Sequence, residues 1–367
     1  MMQIGWVVLV AFGISAAQAL WYKYPGLRGL GYDRRFDRQT AFVGERVELI
    51  ETVTNRSPWP VSWVRLEAEF DSGLQFFGNA EMITSQGRSF QYHKSAFSLP
   101  SRTRWTRRHA ITCRARGYHR LYPVALTAGD LLGLVRLTRE WRPQSELYIY
   151  PQILSLAELP DPANRLLGEI SLRRVLLEDP FLTVGARDYQ PGDPLRMVHW
   201  GATARTGRLM VRRLEYTADR ELMICLNFEC SEDMWEAVLD PGLIESGISY
   251  AASVAALAVE RGNQVGFAAN ARLGGEGDVA RAAPGAGDGQ LDHLLRMMAR
   301  LTMRVDGSFQ ALLAREADLA MTGCDILILS AFISDAMRER LASLESLGHT
   351  VHFWPLVSDP AASGGAS

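Results

Sequence analysis

Near Glu221 the hydrophobic period of the chain changes, and the change splits it into two kinds of structure. From Thr40 to Tyr150, apolar residues recur at every second position in short runs: ERVELIETVTN, VSWVRLEAEF, HAITCRARG, HRLYPVALTA and ELYIY. Asn55, Ser57 and Pro58, then Asp71, Ser72 and Gly73, punctuate them. A period of two means half-buried strands, and several at this spacing predict an antiparallel β-sandwich over residues 40–150. After Glu221 the apolar runs become continuous (ELMICLNF, NQVGFAAN, DILILSAF, TVHFWPL) and alternate with helical patterns such as IESGISYAASVAALAVERG, QLDHLLRMMARL, SFQALLAREADLA and ISDAMRERLASLESLG. Strands buried on both faces and separated by helices predict an α/β domain, a parallel sheet flanked by helices, over residues 221–357. GGEGDVARAAPGAGDG reads as a Gly/Ala-rich loop, and residues 358–367 (SDPAASGGAS) as a disordered tail. The expected whole is α+β and multidomain.

A second constraint lies at the N-terminus. IGWVVLVAFGISAAQALWY, Ile4 to Tyr22, carries no charge, and its length is close to the ~20 residues that cross a bilayer. Trp6 at one end and Trp21, Tyr22 and Tyr24 at the other suit the two membrane interfaces. A cleaved signal peptide competes, since SAAQA offers small residues, but no positive charge precedes Ile4. Lys23, Arg28, Arg34, Arg35 and Arg38 follow it instead. The positive-inside rule makes residues 1–22 a single-pass transmembrane anchor of the inner (cytoplasmic) membrane, residues 23–39 a basic juxtamembrane linker, and the later domains cytoplasmic. Cys113, Cys225, Cys230 and Cys324 form no CxxC pair, which agrees with a reducing compartment. A formal charge of -2 argues against binding nucleic acid along the whole chain. No GxxxxGK(S/T) phosphate loop is present.

Residues 151–220 connect the two domains, and 188–215 hold the densest run of specific polar residues, DYQPGDPLRMVHWGATARTGRLMVRRLE. Gln190-Pro191-Gly192-Asp193 fits a type II turn. Asp193 suits a helix N-cap, with Pro194 in the first turn and Gly207 as the stop. RLMVRRLEY reads as a strand. Asp188, Asp193 and His199 are acid–base candidates, but their spacing marks neither a nucleophile elbow nor a metal-ligand set, so no catalytic residue is assigned. Arg205, Arg208, Arg212 and Arg213 cluster, yet apolar residues frame them and Glu215 and Asp219 lie close by, so no nucleic acid is expected. Trp200 is expected in the core, and Arg196 or Arg205 is expected on carboxylates or carbonyls.

The stretch resembles the signature of the DUF58 family, approximately (R/D)-x-Y-x-P-G-D-x-x-R-x-I-x-W-x-x-x-A-R-x-x-x-L. Asp188, Tyr189, Pro191, Gly192, Asp193, Arg196, Trp200, Ala204, Arg205 and Leu209 fill it. It departs at Gly201, where the family usually has Lys, and at His199, where Asp is common. FVGERVELIETVTNRSPWPVSWVRL and RARGYHRLYPVALTAGDLLGLVRL resemble the family's N-terminal β-domain, with Leu131-Leu132 in place of Pro-Phe. The resemblance implies a membrane anchor, often of two adjacent helices, and a C-terminal domain like von Willebrand factor type A. It also implies a MoxR-type AAA+ ATPase as partner, with room for other membrane-complex subunits.

Such a domain often binds Mg²⁺ through D-x-S-x-S and a later Thr and Asp. Here the matching residues are Asn227-Phe228-Glu229-Cys230-Ser231, and Ala331 stands where a ligand Asp is expected. Mg²⁺ requires hard oxygen ligands, so neither metal nor cofactor is expected. Strand ends in open α/β sheets bind ligands, which makes Asn227, Glu229, Ser231 and Asp233, with Glu232 and Arg272 nearby, a candidate interaction rim or degenerate metal site. The expected function is a membrane-anchored, non-enzymatic interaction or assembly protein. A hydrolase using the rim and a membrane-proximal nucleic-acid binder are the alternatives. The topology is testable: a reporter active only in the periplasm, fused after residue 357, should be silent. An active reporter, or a mature chain beginning near Leu20, overturns the anchor.

Overall fold

The structure is a computed structural model that describes residues 2–21, 29–71, 74–76, 81–85, 88–129, 136–159, 183–190, 198–214, 221–232, 238–274, 279–319 and 323–357. The tail expected at 358–367 lies outside them. The chain is mixed α+β, with several sheets and six helices among the described residues. It divides into two compact units, residues 1–152 with 298–300, and residues 153–297 with 301–367.

In the first unit Met2–Trp21 is helix α1. Trp6, Phe12, Ile14 and Leu20 are exposed on it. Two antiparallel sheets follow. One runs β1 (Leu30–Phe36), β3 (Arg46–Asn55), β8 (Arg104–Cys113), β5 (Leu74–Phe76); the other runs β11 (Arg136–Trp141), β10 (Val124–Gly129), β4 (Val61–Asp71), β7 (Arg88–Leu99), β6 (Glu81–Ser85). Their inward residues, among them Leu49, Val53 and Ile111 from one sheet and Val64, Leu66 and Leu126 from the other, meet in one core. A small third sheet joins β2 (Thr40–Phe42), β12 (Glu146–Tyr150) and β9 (Gly117–Arg120).

Strand β1 corrects the linker reading of residues 23–39. Leu30–Phe36 pairs along its length with β3, and Leu30, Tyr32, Arg34 and Phe36 alternate into the core. Arg34, counted among the basic residues of the juxtamembrane linker, is only 3% exposed. It lies opposite Glu51 in the strand register. The Tyr32 hydroxyl donates to Glu51 Oε1 at 2.5 Å, and His109 Nε2 lies 3.8 Å from Glu51 Oε2. Burial pushes the Glu51 carboxyl up, but His109, the Tyr32 hydrogen bond and the Arg34 charge outweigh it and hold it below the ordinary carboxylate range.

The second unit centres on a sheet in the order β17 (Val279–Gly285), β16 (Gln264–Leu273), β15 (Glu221–Leu226), β19 (Asp325–Ser330), β20 (Thr350–Pro355). Strands β16, β15, β19 and β20 are parallel; β17 is antiparallel to β16, as is the short β18 (Leu301–Val305). Helix α3 (Pro241–Glu260) covers one face. Although long and apolar enough to cross a membrane, it is mostly buried. A Cβ on its Gly247 would meet Leu226 Cδ1 at 3.0 Å and Leu356 Cδ1 at 2.9 Å, so helix and sheet touch closely there. Helices α5 (Phe309–Leu319) and α6 (Asp335–Ser346) cover the other face, where Phe309, Leu313, Met337 and Leu341 pack on Met223, Cys225, Ile326 and Ile328. Asp288–Arg300 forms α4.

Strand β17 corrects the loop reading of GGEGDVARAAPGAGDG. Ala280 and Ala282 are buried, and the ladder to β16 is bulged. A Cβ on Gly266 would lie 2.8 Å from Pro284 N and 2.9 Å from Ala282 O, so only glycine admits the approach. Arg281 donates to both carboxylate oxygens of Glu316 on α5, at 2.7 and 3.2 Å. Gly, Ala and Pro read as loop residues, but pairing with β16 and this ion pair decide otherwise.

The buried Glu51 gives a pH prediction. Its folded pKa is depressed, so its contribution is present above the ordinary carboxylate range and is lost as pH falls through the lowered value. Glu51→Gln leaves Arg34 without its counter-charge and should cost about 3–5 kcal/mol near neutrality. Thermal melts across pH should show the variant losing less than the native chain on acidification. Parallel acid limbs would refute the buried pairing.

Candidate functional site

The signature segment forms a hairpin with a helical insert. Strands β13 (Thr183–Asp188) and β14 (Met210–Leu214) pair antiparallel. Val198 bridges Val211, and both are buried. That extended bridge prevents a helix running continuously from Pro194. Helix α2 begins at Trp200 and ends at Thr206, with His199 as its cap: Nδ1 accepts from Ala202 N–H at 3.1 Å. Gly207 closes it with φ +69, a left-handed position, and its N–H donates to the Thr203 carbonyl. Pro191, Gly192, Asp193 and Arg196 lie outside the described residues.

Trp200 contradicts its expected burial: it is 67% exposed. Val198 takes the inward position on the hairpin, the chain then turns, and no residue of α2 is buried. Arg205 Nε donates to the Gly201 carbonyl at 3.3 Å, within its own helix. Tyr189 is half-buried, and its N–H donates to the Leu209 carbonyl at 2.9 Å. Arg187, Arg205 and Arg208 are exposed. This segment carries no catalytic geometry among its described residues, but it leaves Trp200 and three arginines exposed.

The rim sits at the carboxyl ends of β15, β16 and β19. Asn227 is fully buried. Its Oδ1 accepts from the Glu229 N–H at 3.0 Å, and its Nδ2 donates to Ser330 Oγ at 3.0 Å. Ser330 Oγ in turn donates to the Phe332 carbonyl at 2.8 Å. Asn270 Oδ1 accepts from the Phe228 N–H at 2.8 Å, and its Nδ2 donates to the Gly307 carbonyl at 3.4 Å. Glu229 is half-buried, and one carboxylate oxygen accepts from the Phe309 N–H at the start of α5, at 3.2 Å. Burial pushes the Glu229 carboxyl up, and the Phe309 bond only partly offsets this. Ser231 and Glu232 are exposed; Asp233 lies outside the described residues.

The structure therefore brings Asn227 and Glu229 together and adds Asn270, Ser330 and the Phe309 N–H. A lone polar residue ending the apolar run GFAAN was the available signal for Asn270. The donor set does not fit Mg²⁺. Where a leading carboxylate would face the ion, Asn227 turns an N–H donor toward Ser330, and among the described residues no three His, Cys, Asp or Glu converge.

Fold and site together define a class: a mixed α+β chain whose sheet edge is held by carboxamides. Residues 185–353, from β13 into β20, match the family described as "Protein of unknown function DUF58", so the resemblance read around Tyr189–Leu209 holds over that span. The chain is 23% identical over 297 residues to the uncharacterized protein YeaD of Bacillus subtilis (strain 168), covering 81% of this chain and 68% of that one. Among solved structures, the alkylpurine DNA glycosylase AlkC of Pseudomonas fluorescens aligns at TM-score 0.19 with 20% identity, over 31% of this chain and 30% of its own. A non-cellulosomal cohesin of Archaeoglobus fulgidus aligns at TM-score 0.21 with 11% identity, over 32% and 90%. At such scores these likenesses carry no argument.

A thermal melt in millimolar Mg²⁺ should superimpose on one in EDTA. A rise of several degrees in Mg²⁺ that Glu229→Ala abolishes would overturn the carboxamide reading.

Proposed function

We propose that this is a membrane-anchored, non-enzymatic interaction and assembly protein that works with a MoxR-type AAA+ ATPase through the rim above β15, β16 and β19. The anchor is α1, uncharged through Ile4–Tyr22 and followed by basic residues. The α/β unit is of the von Willebrand type A kind, a reading supported by its parallel strands, the antiparallel strand at one edge and helices on both faces. The ATPase is inferred from the family resemblance alone.

The observation that carries the docking reading is the use made of the buried polar groups. Asn227, Asn270 and Ser330 spend their hydrogen bonds on the backbone and on each other. They shape a loop rather than a reaction centre, and the exposed Ser231 and Glu232 beside half-buried Glu229 remain for a partner. The raised Glu229 carboxyl favours the hydrolase alternative, since a carboxyl shifted by burial can serve as an acid. Against it, Ser330 Oγ is engaged with Phe332, and among the described residues no histidine is hydrogen-bonded to it.

Co-purification with the AAA+ ATPase encoded beside this chain should fail for Glu229→Arg and for the exposed Glu232→Arg, with circular dichroism unchanged in the latter. Binding that persists in both variants removes the rim as the docking surface. If no ATPase accompanies the native chain, the partner is wrong.

A further inference from the structure

The α2 hairpin is the most specific segment of the sequence, yet its aromatic residue points outward. A buried tryptophan would explain itself by packing; one that is 67% exposed does not. Leu209 is exposed as well. The two sit at the same end of the hairpin, each one residue from the His199 N–H bond to the Met210 carbonyl, 2.8 Å long. The same segment carries Arg187, Arg205 and Arg208, all exposed, and among the described residues its one carboxylate is the exposed Asp188. Arg205 reaches back to Gly201, which places its guanidinium beside the turn that carries Trp200. Counted over the described residues, the patch is cationic in a chain whose formal charge is -2.

We propose that this hairpin is an anionic-lipid contact, with Trp200 and Leu209 at headgroup level and Arg187, Arg205 and Arg208 on lipid phosphates. The inference rests on the membrane-anchor reading of α1. Three features favour lipid over an acidic protein. Tryptophan beside arginine matches the chemistry of the headgroup layer, where an amphipathic ring and a phosphate-pairing fork are both satisfied. Helix α2 has none of its residues buried, so it stands open to a surface as flat as a bilayer. A chain already held at a bilayer by α1 also meets lipid at high effective concentration, so a weak cationic patch suffices. The patch is separate from the rim and needs no residue of it.

The full-length chain is reconstituted in nanodiscs of phosphatidylcholine, with and without phosphatidylglycerol, and amide hydrogen exchange is followed over residues 198–211. Exchange there should slow in the phosphatidylglycerol discs, with the effect lost at high salt. Binding to phosphatidylglycerol should weaken by about tenfold or more in Arg205→Glu/Arg208→Glu, since each arginine near an anionic surface contributes appreciably. Trp200→Ser, at an exposed position, should reduce protection without shifting the thermal melt. Equal exchange in both discs overturns the proposal. So does equal protection by inorganic phosphate or polyglutamate in phosphatidylcholine discs, which would mean that the patch reads charge alone. If the chain fails to enter discs, the anchor reading falls separately. Co-sedimentation with phosphatidylglycerol vesicles, native chain against Arg205→Glu/Arg208→Glu, then decides the patch by itself: selective loss in the variant supports it, and no difference overturns it.

Discussion

Two buried carboxamides hold the working edge of the central sheet. Where β15 ends, the Phe228 and Glu229 N–H groups pass beyond the regular strand, and Asn270 and Asn227 supply their acceptors. An unsatisfied buried group costs roughly 1–3 kcal/mol, so each asparagine fixes the loop against a substantial penalty. The second half of each amide ties that loop onward, Asn227 to Ser330 on β19 and Asn270 to the Gly307 carbonyl ahead of α5. A carboxylate in place of Asn227 would have no N–H to give Ser330. The loop thus obtains from amides the fixation that a cation and carboxylates would otherwise supply.

From that edge a mechanical link runs to the far side of the sheet. Glu229 accepts from the first residue of α5; Glu316, two turns further along the same helix, is gripped at two points by Arg281 of β17. The link joins an edge strand, a helix and the rim. Glu316 is buried and its partner is mostly so, hence the pair is little screened by salt and holds α5 at a fixed distance from the strand.

Much of this was legible in the sequence. The buried parallel strands announced themselves because continuous apolar runs have few other uses, and the alternating runs of 40–150 gave strands in the first unit. The Gly207 stop was legible because few residues accept its left-handed backbone. What stayed hidden depended on contacts distant in sequence. Arg34 counts as surface charge until β3 brings Glu51 opposite it. VARAAPG looks like a loop until Gly266 lets it approach β16. Trp200 looks like core by its apolar area, but its burial depends on whether Val198 or Trp200 takes the inward place on the hairpin, and hydrophobicity alone does not decide between them.

Strand β17 also bears on how the protein survives its own synthesis. An edge strand is a template for a neighbouring molecule, and a flat, β-branched edge invites endless stacking. This one is bulged against β16; Pro284 offers no N–H, and Arg281 is drawn to Glu316. The composition that disguised it as a loop makes it a poor seed for fibrils. The aggregation risk of the sheet falls accordingly on its opposite border, β20, where Val351 and Phe353 are only partly buried and no proline interrupts the strand before its last residue.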